Sequence, residues 1–167
     1  MATTLTTQTL VDTNRHTVIK VVGNGGTDAN VSLIRAANLA YAINATGQIS
    51  TLNPKRLNRI AIKRIWGQGQ MGASNNVTLK WGGNSNNAIV TFGAGQFDYN
   101  FDAGSTQGTI EIPDTANCTG DILFSSTAGA SDAWTLFIDL KKDGRDYDQG
   151  QVRDPIAFNY GAGRNGG

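Results

Sequence analysis

Apolar and polar residues alternate with a period of two along most of this chain. In the stretch DAWTLFIDLKK (132–142), four large apolar side chains fall on one face: Trp134, Leu136, Ile138 and Leu140. Because successive side chains of a β-strand point to opposite faces, this spacing predicts a strand buried on one side. Similar short runs recur between turns rich in Gly and Asn, at 16–23, 77–81, 88–92, 96–102, 108–113 and 121–127. The pattern predicts an all-β chain, a single jelly-roll-like β-sandwich of about eight strands.

Composition favours the same fold class. The chain contains 21 Gly, and its acidic residues are twelve Asp and one Glu, Glu111. Glu favours helices, whereas Asp and Gly favour caps and turns, so helix-forming surface residues are scarce. A length of 167 residues suffices for one domain with its own core, and the single cysteine, Cys118, excludes an internal disulfide.

The chain divides into three predicted segments. Residues 16–142 contain the strands and form the β-sandwich domain. Residues 1–15 are Thr-rich, and residues 143–167 are charged and then Gly-rich. We expect these ends to be a flexible N-terminal arm and a flexible C-terminal tail that become ordered against a neighbour. Residues 28–47 fit either a helix capped by Asp28 or a strand followed by irregular chain, and the broken helical face favours the strand.

Charge is distributed unevenly, although the net charge is only +1. Residues 29–97 contain seven basic and no acidic side chains, whereas residues 98–167 contain eleven acidic and five basic ones. This pattern allows two interpretations. Either the domain has a basic and an acidic face that dock neighbouring subunits, or strands from both halves interleave and mix the charges.

The densest basic stretch is KRLNRIAIKR (55–64), and we predict that its cations bind an acidic surface of a partner protein: Lys55, Arg56, Arg59, Lys63 and Arg64. In a regular strand, Arg59 and Lys63 share a face with Ala61, and Arg64 shares the opposite face with Ile60 and Ile62. Because the cations are divided between faces and the chain is nearly neutral, the pattern does not predict nucleic-acid binding.

Three glycines after this stretch, Gly67, Gly69 and Gly72, have the spacing of a dinucleotide-binding turn. Such a site needs a helix directly after the glycines and an acidic residue about 20 positions further on. The next residues, ASNNVTLKW, predict a turn and another strand, and no acidic residue occurs before Asp98. We therefore predict a Gly-rich turn between two strands and no bound cofactor.

The sequence offers few groups for catalysis or metal binding. His16 is the only histidine and lies near the predicted arm, and Cys118 lies in a turn without a basic neighbour. Asp143, Asp146 and Asp148 could supply some calcium ligands, but their spacing does not match an EF-hand loop, and a solvated acidic turn is the default. We therefore expect neither an enzyme nor a metal protein.

Neither a signal peptide nor a membrane span is predicted. The first 17 residues lack a basic start and an apolar run. No stretch approaches the roughly 18 apolar residues of a membrane-spanning helix. We therefore expect no membrane partner.

The order TVIKVVGNG, PKRLNRIAIKRIWGQG, NVTLKWGGNSNNAIVTF, TGDILFSST and DAWTLFIDLKK, over residues 16–142, resembles small β-sandwich virion proteins of tailed bacteriophages. Such proteins decorate or cement the capsid, or lie at the neck or tail. The resemblance implies a non-enzymatic structural protein, made in the host cytoplasm and displayed on the virion. It implies binding to the major capsid protein or other virion proteins, and homo-oligomers, commonly trimers.

Two alternatives remain beside a decoration protein. One is a structural component of the neck or tail, and the other is a glycan-binding module at a tail tip. A glycan-binding module needs exposed aromatic rings. Trp81 and Trp134 lie on apolar faces and are predicted core residues, whereas Trp66, placed at a strand end, is the freest of the three tryptophans.

Overall fold

The strands that the alternating pattern predicts are present, and they form two antiparallel sheets. A computed structural model describes residues 1–101, 109–113 and 117–150. Its strands are β1 (Thr4–Asp12), β2 (His16–Asn24), β3 (Thr27–Ile34), β4 (Ile60–Gln70), β5 (Val77–Trp81), β6 (Ala88–Phe92), β7 (Gly95–Asn100), β8 (Ile110–Glu111), β9 (Ile122–Thr127) and β10 (Ala133–Lys142). An all-β fold of the β-sandwich type is confirmed, and its jelly-roll connectivity stays a prediction.

The larger sheet has the strand order β1-β2-β10-β4-β7, and the two-residue strand β8 pairs with the beginning of β4. The smaller sheet has the order β3-β9-β5-β6. Within the described ranges, the one helical element is a 3-10 helix at Ala36–Asn38, and no helix there is long and apolar enough to cross a membrane.

Alternating side chains of the two sheets form one core. The larger sheet contributes the predicted face of β10, and Trp134, Leu136, Ile138 and Leu140 are all at most 2% exposed. The smaller sheet contributes fully buried side chains such as Leu79 and Phe124. Burying one such side chain stabilises the fold by roughly 1.5–3 kcal/mol, so the core holds the sheets face to face.

Gly67 and Gly69 lie inside β4, so the predicted Gly-rich turn is wrong at these two positions. A Cβ atom at Gly67 would overlap with the carbonyl oxygen of Thr135, and one at Gly69 with that of Gly93. Both glycines therefore allow backbone segments to approach closely. Their amides belong to an antiparallel sheet, which is the physical reason that this motif forms no phosphate-binding turn.

The indole ring of Trp134 explains why glycine is required at position 23. Its cross-strand neighbours are Gly23 on β2 and Gly69 on β4, and a Cβ atom at Gly23 would overlap with the indole ring. The ring also lies 5.9 Å from both Phe92 and Phe124, measured between ring centroids. Gly23 therefore creates the space in which the largest core side chain packs against the opposite sheet.

A β-bulge changes the faces predicted for β4. The pairing with β10 skips Lys63, because Asp139 pairs with Arg64 whereas Leu140 pairs with Ile62. A bulge inserts one residue, so every side chain after it changes face relative to a regular strand. The prediction that Arg64 shares a face with Ile62 is therefore wrong: Ile62 is buried and Arg64 lies on the outer face.

The predicted N-terminal arm is largely a strand. Residues Thr4–Asp12 form β1, which pairs with β2 at the edge of the larger sheet. The preceding residues are also bonded, since the Thr27 amide donates to the Met1 carbonyl at 2.9 Å. The prediction of a flexible arm over 1–15 is therefore wrong for this strand, which pairs with β2 along its length.

The predicted C-terminal tail begins with ordered, buried chain. Asp146 and Tyr147 are 3% and 0% exposed, and the Tyr147 hydroxyl donates to the Ala36 carbonyl at 2.6 Å. Burial is the largest cause that raises the pKa of Tyr147 far above its ordinary value. The tail prediction is therefore wrong for residues 143–150, and residues 151–167 lie outside the described part.

The ambiguous segment 28–47 is a strand followed by irregular chain, as the broken helical pattern favoured. β3 ends at Ile34, and the chain then passes through Ala36–Asn38 into a long loop that reaches β4. This loop brings the first part of the basic cluster to the end of the sandwich.

Candidate functional site: the loop before β4 and the outer face of the larger sheet

The five predicted partner-binding cations divide between two places. Lys55, Arg56 and Arg59 lie in the loop before β4, whereas Lys63 and Arg64 lie within β4 itself. Within the described residues, Lys55 and Arg59 bind the carboxylate of Asp146, and Arg64 binds that of Asp98. In each pair, the cation comes from 29–97 and the acid from 98–167, which supports the interleaving of charges.

Asp146 is the anchor of the loop. Its side chain is 4% exposed and accepts hydrogen bonds from Lys55 Nζ at 3.2 Å and from Arg59 Nη1 and the Arg59 backbone amide, both at 3.0 Å. The side-chain Nδ2 of Asn58 donates to the backbone carbonyls of Ile43 and Asp146, both at 3.2 Å. A buried carboxylate requires such partners, so the fold itself uses Lys55 and Arg59.

Asn44 fixes the shape of the preceding turn. Its side chain is buried, and its Oδ1 accepts from the Thr46 amide, the Thr46 hydroxyl and the Gln48 amide at 2.7–3.0 Å. Its Nδ2 donates to the Leu52 carbonyl at 3.0 Å. One buried side chain therefore satisfies backbone groups over nine residues and holds the turn in one conformation.

Large apolar side chains project from this fixed turn into solvent. Tyr41, Ile49 and Leu52 are 45%, 53% and 77% exposed. Arg56 follows them and is also exposed. We name residues 41–56 the 41–56 loop. An ordered surface that combines exposed apolar groups with a cation has the composition of a protein-binding surface.

The outer face of the larger sheet carries a row of stacked side chains that we name the aromatic ladder. Trp66 on β4 and Phe137 on β10 are cross-strand neighbours whose rings are 5.3 Å apart and 8° from parallel. The Arg64 guanidinium lies 4.9 Å from the Trp66 ring centre, and Lys20 Nζ lies 5.9 Å from that of Phe137. The two cations therefore flank the stacked rings on either side and hold them in place.

Asp98 on β7 completes the ladder. Arg64 donates to both its carboxylate oxygens, from Nε at 2.9 Å and from Nη2 at 2.6 Å. The hydrogen bond from Arg64 lowers the pKa of Asp98. This fork-like geometry fixes the guanidinium beside Trp66.

Trp66 lies in the middle of β4 and is half-buried, so its predicted place at a strand end is wrong. Trp81 and Trp134 are 3% and 2% exposed, which confirms them as core residues. Trp66 is therefore the tryptophan that lies on an outer surface.

A cleft of about 730 Å³ lies beside the aromatic ladder. Three strands of the larger sheet contribute to it, and we name it the outer-face cleft: Trp66, Gly67, Gln68, Gln70, Gln96, Phe97, Asp98, Ala133, Trp134, Thr135 and Phe137. Its polar groups are mainly uncharged amides, and its volume falls within the range of about 300–1,000 Å³ that small-molecule sites occupy.

The residues considered for catalysis lie elsewhere. His16 Nε2 is 2.6 Å from Asp139 Oδ1 on the outer face, and Cys118 is buried with a free thiol. Asp143 pairs with Arg145, whose hydrogen bond lowers the pKa of that carboxylate. In the described ranges, no group of three His, Cys, Asp or Glu side chains could hold a metal ion.

Comparison of the chain with protein-family models, with curated proteins and with solved structures found no match.

Sequence reasoning missed both surfaces, although each has a signal. In WGQGQ, Gln68 and Gln70 alternate with glycines after Trp66, so all three side chains share one face. In the 41–56 loop, Ile49 and Leu52 occur singly among turn residues, where no strand or helix would bury them. Isolated apolar residues in a polar turn are the signal of an exposed contact.

Proposed function

We propose that this chain is a non-enzymatic virion structural protein of a tailed bacteriophage, a capsid decoration or cement protein that binds the major capsid protein. The observation that carries the proposal is the 41–56 loop. It presents Tyr41, Ile49 and Leu52 to solvent in a conformation held by buried Asn44.

A fixed loop is suited to binding because its backbone is ordered before the partner arrives. Association then loses less conformational entropy, and more of the free energy from apolar burial appears as affinity. Ile49 and Leu52 would supply that burial at about 25 cal/mol per Å² of apolar surface removed from water.

Arg56 determines the kind of surface that this loop prefers. Lys55 and Arg59 are engaged with Asp146, whereas Arg56 is exposed and follows Leu52 by four positions in the same loop. A cation at the margin of an apolar contact favours an acidic partner surface and accelerates association. We therefore propose Arg56, rather than all five cations, as the main charged contact with the shell.

Decoration of a shell adds multivalency to this contact. A homo-oligomer, with a trimer favoured, would place several 41–56 loops on neighbouring capsid subunits, so that each contact raises the effective concentration of the next. Ligands that bind only the assembled state stabilise it by mass action. Light scattering of the purified protein measures the oligomeric state.

Co-sedimentation with shells assembled from the major capsid protein of the same phage tests the proposal. The wild-type protein should bind, and Leu52→Asp and Arg56→Ala should each weaken binding by about tenfold or more. Val31→Asp is the matched control, because Val31 is another exposed apolar side chain, 38% exposed, on the edge strand β3. This control should bind as the wild type does.

Cryo-EM of particles that carry the chain provides the second readout. We expect density for the sandwich on the outer shell, with the 41–56 loop facing the capsid. Density at the neck or tail would contradict capsid decoration and would favour the alternative, a structural component of the neck or tail. Absence of the chain from particles, or equal binding by Leu52→Asp and the wild type, would contradict the proposal.

A further inference from the structure

We propose that the outer-face cleft binds an uncharged saccharide. The cleft lies on the larger sheet and shares no residue with the 41–56 loop. This binding activity would be additional to attachment to a shell, and it gives a glycan-binding role a defined place in the fold.

Three glutamine side chains supply the hydrogen-bonding groups of the cleft. Gln68 and Gln70 on β4 and Gln96 at the start of β7 all line the cleft. Within the described part of the chain, none of their side chains is engaged in a hydrogen bond. Each primary amide offers donors and an acceptor side by side, which matches the adjacent hydroxyl groups of a sugar ring.

The aromatic rings of Trp66 and Phe137 supply the apolar surface of the cleft. Trp66 and Phe137 stack on each other, and the cations of Arg64 and Lys20 lie over their other faces, so the ring edges form the apolar wall beside these amides. The carbon-bound hydrogens of a pyranose pack against such apolar edges, while its hydroxyl groups require polar partners. A site that combines aromatic surface with a few placed polar groups meets both requirements.

Charge decides between a neutral and an anionic ligand. Among the lining side chains, Asp98 is the one that carries a charge, and Arg64 neutralises it through two hydrogen bonds. A phosphate, sulfate or uronate would find no free cation among these lining residues. The balance therefore favours an uncharged hexose or N-acetylhexosamine unit.

The strands make the site rigid. Its amides and rings stand on β4, β7 and β10, which pair with one another in the larger sheet. Paired strands keep the spacing of the backbone positions from which these side chains project, so a ligand has to order the Gln side chains alone.

A printed array of neutral and anionic oligosaccharides, probed with the full chain, provides the first test. We expect binding to neutral hexose or N-acetylhexosamine oligosaccharides and none that requires a sulfate or uronate. A bound oligosaccharide is then titrated in solution while tryptophan fluorescence is recorded. Trp66 and Trp134 both line the cleft, but Trp134 is 2% exposed and Trp66 is half-buried, so most of the signal change should come from Trp66.

Substitutions locate the site. Gln68→Ala and Gln96→Ala should each weaken saccharide binding by about tenfold, since each removes hydrogen bonds to the ligand. Gln8→Ala is the matched control. Gln8 lies on the edge strand β1, on the same face of the sheet, and its cross-strand neighbour is Lys20 of β2. Gln8→Ala should leave affinity unchanged, and all three variants should keep the wild-type midpoint of unfolding.

Three results would overturn the inference: no neutral oligosaccharide bound, binding that depends on anionic groups, or equal affinity in the wild type and both Gln variants. None of these results affects shell binding, because Leu52 and Arg56 lie outside the cleft. Conversely, a failure of shell binding leaves the saccharide measurements intact.

Discussion

The ammonium group of Lys142, at the end of β10, donates to the carboxylate of Asp12, at the end of β1, across 130 residues of sequence. The Lys142 side chain is fully buried, and Nζ also donates to the carbonyls of Thr13 at 2.7 Å and Ala40 at 2.8 Å. This pair joins the strand predicted as an arm, the chain after β3 and the end of β10, directly before the predicted tail. It explains why these segments are ordered together.

Removal of one partner should cost far more than removal of both. Asp12→Ala leaves a buried cation without its counter-ion, and we expect a loss of about 3 kcal/mol in the free energy of unfolding. Asp12→Ala combined with Lys142→Met should recover most of that loss, because an apolar chain then replaces the charge. Denaturant unfolding of both single variants and the double variant measures the coupling.

Asp98→Ala is the control for this cycle. The Asp98 side chain is 51% exposed, so its loss leaves Arg64 solvated, and the effect should be smaller than for Asp12→Ala. A double variant no more stable than Asp12→Ala would show that the buried charge is not the source of the loss.

The same pair predicts a dependence of stability on pH. Burial acts to raise the pKa of Asp12, but hydrogen bonds from Lys142, the Ala40 amide and Thr17 outweigh it and hold the pKa below its usual value. The folded chain therefore binds this proton less tightly than the unfolded chain. The resulting stability is complete above the ordinary carboxylate pKa of about 3.9 and is lost as the pH falls through the folded pKa.

Denaturant unfolding at two pH values tests this dependence. Wild type and Asp12→Asn should differ strongly in unfolding free energy at about pH 7 and less at about pH 2, because protonated Asp resembles Asn. The other carboxylates titrate in both proteins and cancel in the difference. An equal difference at both pH values would contradict the assignment.

The glycines of β4 provide a prediction about packing. Gly67→Ala should destabilise the fold by about 1–3 kcal/mol, because the new methyl group meets the Thr135 carbonyl oxygen, which a rigid β10 cannot move away. Gly93→Ala is the control, since a Cβ atom there would lie 3.4 Å from the Asn75 carbonyl oxygen, an ordinary contact. Thermal unfolding of both variants should give the lower midpoint for Gly67→Ala, and equal midpoints would refute the steric explanation.

Local sequence pattern predicted what local physics determines. The buried face of β10 follows from strict alternation, and the structure confirms it. The bulge at Lys63 could not be predicted, because alternation has no signal for one inserted residue that depends on the partner strand. One inserted residue moved Arg64 to the outer face beside Trp66, and thereby created the aromatic ladder.

Ordering of the chain ends could not be predicted for a different reason. β1 is Thr-rich and mostly exposed, so its apolar content is that of an arm, and its order comes from pairing with β2. Asp146 and Tyr147 lie in a polar, charged stretch, and their burial depends on groups more than 80 positions away, such as Arg59 and Ala36. Contacts of that range leave no periodic signal in either segment.

The last prediction concerns Asn44, which holds the 41–56 loop in its exposed conformation. Asn44→Ala removes four hydrogen bonds and leaves the amides of Thr46 and Gln48 without their acceptor. We expect a loss of about 1–3 kcal/mol in the free energy of unfolding and faster amide hydrogen exchange over residues 44–53. Shell binding should weaken although every exposed apolar side chain of the loop is still present, because binding must now order the loop.

Leu52→Ala distinguishes the contribution of the apolar contact from that of the fixed loop conformation. Its side chain is 77% exposed, so its loss should weaken shell binding without changing hydrogen exchange at residues 44–53 or stability. Hydrogen-exchange mass spectrometry and co-sedimentation of both variants give the comparison. If Asn44→Ala kept wild-type exchange, Asn44 would not be what orders the loop. If it exchanged faster yet bound shells as tightly as the wild type, preorganisation of the loop would contribute nothing to binding.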